Sequence, residues 1–286
     1  MDAYVTVDEV RRTLGVTDSD IIPDDVITQA IEFAEDEIDR ITFTTYYPVL
    51  ETGRVTSATD TTLVETNKEW NTDDLTGYAV YIYAGTGIGQ IREITDNDET
   101  SVTVATWTTN PDSTSRYIIT YLNKETVNID GTGGSTILLK DYPIVQIDSL
   151  KIEDTEIDSD DYIFYKDTGR IVLLNTAAKT SFTKPIGNIY NQAVEITYHW
   201  GVLPEVKRGR IETNRIIKRA TCLVASLQAL AYQIGGTYDD ASTWNLPEMG
   251  VSRGQAYINI KGVVDVLVKE LEDFKNNYLG KYIYMA

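Results

Sequence analysis

Histidine and cysteine, the residue types most often used in metal binding and nucleophilic chemistry, each occur once in this chain, as His199 and Cys222. A single histidine excludes a metal site with several histidine ligands within one chain. A single cysteine excludes both an internal disulfide and a cysteine zinc cluster. Cys222 falls on the apolar stripe of a predicted helix, which favours a small buried side chain over a reactive thiol. Neither residue therefore indicates an active site.

A glycine-rich segment at positions 85–89, with the sequence GTGIG, is the closest approach to a phosphate-binding loop. It lacks the lysine and the serine or threonine of a P-loop, and its spacing does not fit the dinucleotide-binding motif. It also precedes a predicted strand, whereas a phosphate loop leads into a helix whose N-terminus holds the anion. We therefore predict a β-turn between two strands.

An acidic run lies between positions 153 and 161. It suggests calcium, but it has no glycine at the turn that a calcium-binding loop requires, and Tyr165 stands where the bidentate glutamate belongs. A solvated hairpin loop is the prediction, and a weak calcium site is the alternative. The run consists of Glu153, Asp154, Glu156, Asp158, Asp160 and Asp161.

Paired carboxylates are the remaining source of chemistry, because glycoside hydrolysis uses two of them. The chain has 44 aspartates and glutamates, so close pairs are inevitable and carry no information. The sequence predicts no catalytic residue, no metal site and no cofactor. We do not expect an enzyme, and a polysaccharide-active enzyme is the least favoured class.

The charge of the chain limits its partners. With a formal net charge of −19 over 286 residues, it is unsuited to gripping nucleic acid, which requires clustered lysine and arginine. An acidic wall suits the opposite task, since a polyanion passes it without sticking. A halophilic origin is a second interpretation of the acidity. The sequence has no apolar stretch approaching the roughly 20 residues of a membrane span and no signal-like start, so we expect a soluble, intracellular setting.

The elements that position these residues begin with two helices. The sequence TVDE from Thr6 to Glu9 fits a capping box, and Gly15 offers a left-handed stop. A second helix is predicted after Pro23, where acidic residues complement the helix dipole. Its apolar stripe repeats at helical spacing and consists of Ile27, Ala30, Ile31, Ala34, Ile38 and Ile41.

The middle of the chain has the period of two that is typical of strands. We predict strands at 78–83, 90–95, 101–105 and 116–121, followed by a second set at 137–139, 145–152, 162–165, 170–174 and 194–200. The sequence KDTG at 166–169 predicts a turn between two of these strands. The Thr-rich spacing of the first set favours a small sandwich or barrel.

Helical patterns return after Pro204. One predicted helix spans 207–234 and a last one spans 261–279, before an apolar and aromatic tail at 281–286. The stripe of the first helix is either its buried side or a contact between subunits, and it includes Ile216, Leu223, Leu227 and Leu230.

The predicted fold class is α+β, with a helical-bundle core formed by the N- and C-terminal helices and two antiparallel β regions between them. The corresponding domain division is an N-terminal helical hairpin at 1–47, an inserted β-domain at 48–122, a second β region at 123–204, and the C-terminal helices with the tail at 205–286.

Several sequence patterns recur in a fixed order along the chain. They begin with VDEVRRTLGV at 7–16, DDVI at 24–27 and YPIVQIDSLKI at 142–152. They continue with the hairpin at 161–173, VEITYHWG at 194–201 and LPEVK at 203–207 before a long helix. This order resembles the head-tail connector (adaptor) proteins of tailed phages. Residues 52–121 depart from the compact form of that family and are similar to a β-module that recurs in virion proteins.

The resemblance implies a structural protein of the virion neck, made in the host cytoplasm. Such proteins form a ring, commonly a dodecamer, that binds the portal, extends the DNA channel and carries tail or stopper proteins. DNA passes through without specific binding, and no membrane is involved. On this view an acidic helix face would line the channel, and the C-terminal tail would dock on the portal. The face is Glu32, Glu35, Asp36 and Asp39, and the tail residues are Leu279, Tyr282, Ile283, Tyr284 and Met285.

The alternative is another neck, collar or baseplate protein whose β-domain binds host molecules or glycans.

Overall fold

The computed structural model describes residues 4–15, 22–131, 134–174, 192–207, 210–237 and 269. The chain divides into two compact units. The first combines Met1–Phe43 with Glu205–Ala286, and the second is the continuous segment Thr44–Pro204. The chain thus leaves the first unit once, builds the whole second unit, and returns.

Helix α1, Val7–Leu14, is bounded as the sequence predicts. The Thr6 hydroxyl accepts from the Glu9 amide at 3.2 Å, and the Glu9 carboxylate accepts from the Thr6 amide at 3.1 Å. Gly15 ends the helix with φ = 70°, a left-handed conformation that glycine adopts without steric penalty. The predicted capping box and stop are confirmed.

Helix α2, Asp24–Thr42, buries the predicted stripe except for Ile41, which is half-buried. Pro23 lies immediately before the first turn, where its missing N–H leaves no bond unmade. The helix ends at Phe43, which is left-handed at φ = 55° and 85% exposed. A bulky residue in this conformation is uncommon.

Helix α3, Arg215–Thr237, begins later than predicted. The preceding residues form a hairpin of two strands, and the Asn214 side chain accepts from the Ile216 amide at 3.0 Å, capping the first turn. The prediction of a helix from Lys207 was therefore wrong. Helices α2 and α3 pack together, and α1 contacts both.

The second unit contains a seven-stranded antiparallel sheet. Its strand order is β1-β7-β4-β5-β6-β3-β2, and its buried residues include Val80, Ile82, Ile94, Tyr117 and Ile119. A bulge between Ile94 and Asp96 interrupts the pairing of β5 with β6. The strands are β1 Glu51–Arg54, β2 Ser57–Ala58, β3 Thr62–Val64, β4 Tyr78–Ala84, β5 Ile91–Asn97, β6 Ser101–Val104 and β7 Arg116–Tyr121.

Two smaller sheets complete this unit and share a core around Leu150, Ile171, Ile196 and Tyr198. The predicted turn at 166–169 is confirmed as a 3₁₀ turn that ends at Gly169, with φ = 61°. One sheet has the order β11-β10-β14-β8 and the other β12-β13-β9. Their strands are β8 Lys124–Ile129, β9 Thr136–Leu138, β10 Ile144–Ile152, β11 Thr155–Glu156, β12 Tyr162–Tyr165, β13 Arg170–Leu173 and β14 Val194–Trp200.

The predicted fold class was wrong. The described chain is mostly β, with 38% strand, four antiparallel sheets and three helices, and the terminal helices do not form a helical-bundle core. Part of the difference lies in short strands that the sequence pattern did not predict, such as β1 to β3 and β8. The rest is the hairpin of β15 Glu205–Lys207 and β16 Arg210–Glu212, which replaces the predicted first turns of a helix. The four-part domain division stays a prediction.

No helix within the described ranges is long and apolar enough to cross a membrane.

Candidate functional site

His199 lies on β14, opposite Gln146 of β10, and is 1% exposed. Its Nε2 is 3.2 Å from Oδ2 of Asp148, so an Nε2–H donates to the carboxylate. Its Nδ1 has no hydrogen-bond partner among the described residues. The sole histidine is thus held inside the sheet by one carboxylate, and its burial keeps it from touching a substrate in solution.

Asp148 is the centre of a charged cluster. Burial raises the pKa of its carboxyl, but the hydrogen bond and charge of His199, the Gln146 amide and the Lys124 charge together outweigh burial and lower the pKa to about 2. Lys124 Nζ lies 3.5 Å from Asp148 Oδ2 and 3.3 Å from Glu93 Oε2. The carboxylate therefore stays ionised at neutral pH, between two basic groups.

Gln146 extends this cluster to the seven-stranded sheet. Its Oε1 accepts from Arg92 Nη1 at 3.0 Å, and the Arg92 guanidinium lies 5.6 Å from the centre of the Trp107 ring. Burial lowers the pKa of Arg92, and the charge of Asp148 raises it. These bonds connect β5 to β10 within the second unit. The arrangement fixes two sheets relative to each other, and its geometry is structural.

The glycine-rich segment is a tight turn between β4 and β5, as predicted. Gly85, Gly87 and Gly89 all have positive φ, at 83°, 79° and 92°. The turn presents Ile88, which is 64% exposed, at the edge of a groove of about 790 Å³. Ile163 on β12, 48% exposed, also lines this groove.

The acidic run forms the turn after β10 and a 3₁₀ turn at Ser159–Asp161. Asp158 caps that turn by accepting from the Asp160 amide at 3.1 Å. Within the ranges that the structure describes, no group of three or more His, Cys, Asp or Glu side chains could hold a metal ion. Glu153 and Asp154 form the exposed turn between β10 and β11, and Glu156 lies on β11 opposite Lys151.

The predicted stripe of α3 lies mostly inside the first unit. Leu223 and Leu230 are 3% and 7% exposed, and they form a cluster with Leu14 and the half-buried Leu227. Ile216, at 52%, is the most exposed of the four predicted stripe residues. Cys222, on the same helix, is half-buried, and burial raises the pKa of its thiol.

The predicted acidic face of α2 divides into two parts. Glu35 and Asp39 turn towards Tyr4: the Tyr4 amide donates to Glu35 at 2.8 Å and the Tyr4 hydroxyl to Asp39 at 2.7 Å. Burial raises the pKa of Glu35 to about 7; the hydrogen bond from Tyr4 opposes this shift and the neighbouring carboxylates reinforce it. Glu32 and Asp36 remain exposed.

Phe33 follows Glu32 in the sequence and is itself 50% exposed. Asp36 follows it by three positions, so both side chains project from the same side of α2. We call Glu32, Phe33 and Asp36 the anchor face. Sequence reasoning identified its charges but missed its aromatic side chain.

A second charged surface of the first unit was not predicted. A concavity of about 780 Å³ is lined by Val206, Lys207, Arg210, Glu212 and Arg215. Arg215 Nε donates to Glu212 Oε2 at 2.6 Å, and Val206 is 54% exposed. We call this surface the basic concavity. The signal for it was present in the sequence, since six basic and two acidic residues lie between positions 205 and 219.

No known protein family matches this chain. A comparison with curated proteins likewise finds no relative. The predicted portal-docking residues, Leu279 and 282–285, and the predicted helix at 261–279 lie outside the described residues apart from Lys269.

Proposed function

We propose that this chain is a structural head-tail connector (adaptor) of a tailed virus. In this role it forms a ring below the portal, extends the DNA channel and offers a docking platform for neck and tail proteins. The supporting observation is the division of the chain: segments from both sides of the β region fold into one unit, and the whole second unit is inserted between them. That organisation agrees with the order of elements from which the resemblance was drawn.

The surface charge is compatible with a DNA channel. The net charge is −19, and a surface of this sign repels a polyanion instead of binding it. A wall of this kind lets DNA pass without specific contacts. The same charge makes copies of the chain repel one another, so the contacts in a ring need local charge pairing or apolar burial.

The inserted unit is suited to carrying other neck proteins. It is tied together internally by the Arg92–Gln146 bond and has its own hydrophobic clusters. Its groove beside Ile88 and Ile163 exposes apolar surface, which is typical of sites where proteins dock. We assign tail or stopper binding to this unit and portal docking to the C-terminal tail.

The test is to mix the full chain with the portal protein of the same virus and image the product by negative-stain electron microscopy. A ring seated coaxially on the portal supports the proposal. Trimers, fibres or particles that leave the portal bare contradict it and favour another virion component. A chain lacking residues 281–286 tests the tail: it should keep its circular dichroism spectrum but bind the portal more weakly in a pull-down.

A further inference from the structure

The first unit carries two surfaces of opposite charge. Residues 24–40, which lie within α2, contain seven acidic residues and one basic residue, whereas residues 205–219 contain six basic and two acidic residues. In a chain with a net charge of −19, the second segment is the exception. A surface that keeps a local positive charge in so acidic a protein is suited to a negatively charged partner.

The two surfaces also match in shape. The anchor face is a convex helix side on which an exposed phenylalanine lies beside two carboxylates, with Asp36 nearer to the ring than Glu32. The basic concavity has an exposed Val206, and its lining also contains three cations and one carboxylate: Lys207, Arg210, Arg215 and Glu212. An aromatic ring inserted among arginines gains apolar burial and cation–π attraction, while carboxylates beside the ring face cationic side chains.

Neither surface is neutralised by the other within one copy. The ion pairs of the first unit include Arg11 with Asp24, Arg40 with Glu37 and Lys218 with Glu9. Two cations of the basic concavity have partners in the same copy, since Lys207 pairs with Glu205 and Arg215 with Glu212. Among the described residues, Glu32 and Asp36 form no ion pair with a basic side chain, and Arg210 forms none with an acidic one. Each copy therefore presents both halves of a complementary contact.

We infer that the anchor face of one copy docks into the basic concavity of the next, with Phe33 against Val206 and with Glu32 and Asp36 facing the basic side chains. The contact is heterologous, because each copy contributes one surface to one neighbour and the other surface to a second neighbour. Such contacts generate rings or open filaments. The inference deepens the proposed function and rests on it only for closure into a ring.

Two surface variants of the full chain test this contact. Phe33→Ala with Asp36→Asn removes the anchor face and leaves the basic concavity intact. Arg210→Glu with Arg215→Glu reverses the concavity and leaves the anchor face intact. All four side chains are exposed, so circular dichroism should show both variants folded. Phe43→Ala is the matched control, since it removes an even more exposed phenylalanine outside both surfaces.

Sedimentation velocity then distinguishes a head-to-tail contact from other modes of association. The wild type and Phe43→Ala should form oligomers whose fraction rises with concentration, and each surface variant alone should sediment as a monomer. An equimolar mixture of the two variants should give dimers and nothing larger, because one intact contact remains per pair. Association of either variant at the wild-type level, or a mixture without dimers, overturns the inference.

Imaging on the portal distinguishes a failure of this contact from a failure of the proposed function. If the wild type is a monomer in solution, the same variants are imaged on the portal. Complete rings from the wild type and none from the variants support the contact, whereas complete rings from the variants overturn it. Head-to-tail oligomers that do not bind the portal overturn the proposed function but leave the inferred contact standing. Wild-type chains that associate neither in solution nor on the portal overturn both.

Discussion

Lys218 on α3 forms an ion pair with Glu9 on α1, with 2.7 Å between Nζ and Oε1, across 209 positions of sequence. The other carboxylate oxygen of Glu9 completes the capping box of α1. One side chain thus closes the start of the first helix and connects it to the helix that follows the inserted unit.

Replacing the two partners of this pair should have unequal effects. Glu9→Ala removes half of the capping box and the ion pair, and should lower the free energy of unfolding by about 1–2 kcal/mol. Lys218→Ala removes only a half-exposed ion pair and should cost about 0.5 kcal/mol. Urea titration followed by ellipticity at 222 nm is the measurement. Arg40→Ala, which breaks a pair within α2, is the control. A larger effect of Lys218→Ala than of Glu9→Ala would refute this account.

Glu35 should make the first unit less stable as the pH rises. Its pKa in the folded protein is raised from 4.5 to about 7, so the folded state binds more protons than the unfolded state between these values. Stability from this group is present below pH 4.5 and is lost as the pH approaches 7, by at most roughly 3 kcal/mol. Urea titrations at pH 5 and pH 8 should show a smaller change for Glu35→Gln than for the wild type. Glu32→Gln, at an exposed site, should behave as the wild type, and equal pH dependence in all three proteins would contradict the assignment.

Asp148 should make the second unit less stable as the pH falls. Its pKa is lowered from 3.8 to about 2, so its contribution is present above 3.8 and is lost as the pH falls towards 2. Asp148→Asn leaves the buried His199 without its ionised partner and should cost about 2 kcal/mol at pH 7. The difference from the wild type should shrink at pH 3. Urea unfolding followed by tryptophan fluorescence measures the free energy of unfolding at pH 7 and at pH 3. The control Asp154→Asn, at an exposed turn position, should change it at neither pH.

Two glycines have similar backbone angles but different surroundings. Replacing each by alanine therefore distinguishes the cost of backbone strain from the cost of a steric clash. Gly77 and Gly85 have φ values of 86° and 83°, but a Cβ at Gly77 meets nothing within 4 Å, while one at Gly85 lies 2.5 Å from the Thr114 carbonyl oxygen. Gly77→Ala should cost about 1–2 kcal/mol from the left-handed conformation alone. Gly85→Ala should cost roughly 3 kcal/mol or more, since the backbone must shift. Equal midpoints in urea would show that the turn relaxes freely.

Local signals predicted the local structure well. The capping box of α1, the buried stripe of α2 and the turn at 166–169 each depend on residues a few positions apart, and all are confirmed. The fold class was not predictable in this way. Strands such as β8 have polar sequences whose pairing with β14 is fixed by partners far along the chain.

The candidate sites show the same limit. The contact of His199 with Asp148 depends on the register of β14 against β10, and two irregularities in that pairing defeat simple alternation. The basic concavity was missed because residues 205–212 were predicted as the approach to a helix and the start of its first turns. The net charge of the whole chain hides the positive charge of residues 205–219, which is visible only when that segment is considered alone.

If this chain is a ring-forming connector, as we propose, it must assemble on the portal of its virus. The most direct measurement is electron microscopy of the full chain mixed with the portal protein of its virus, with symmetry read from end-on class averages. We predict a closed ring coaxial with the portal. A portal that stays bare at saturating chain concentration, while the chain is folded by circular dichroism, would contradict the claim.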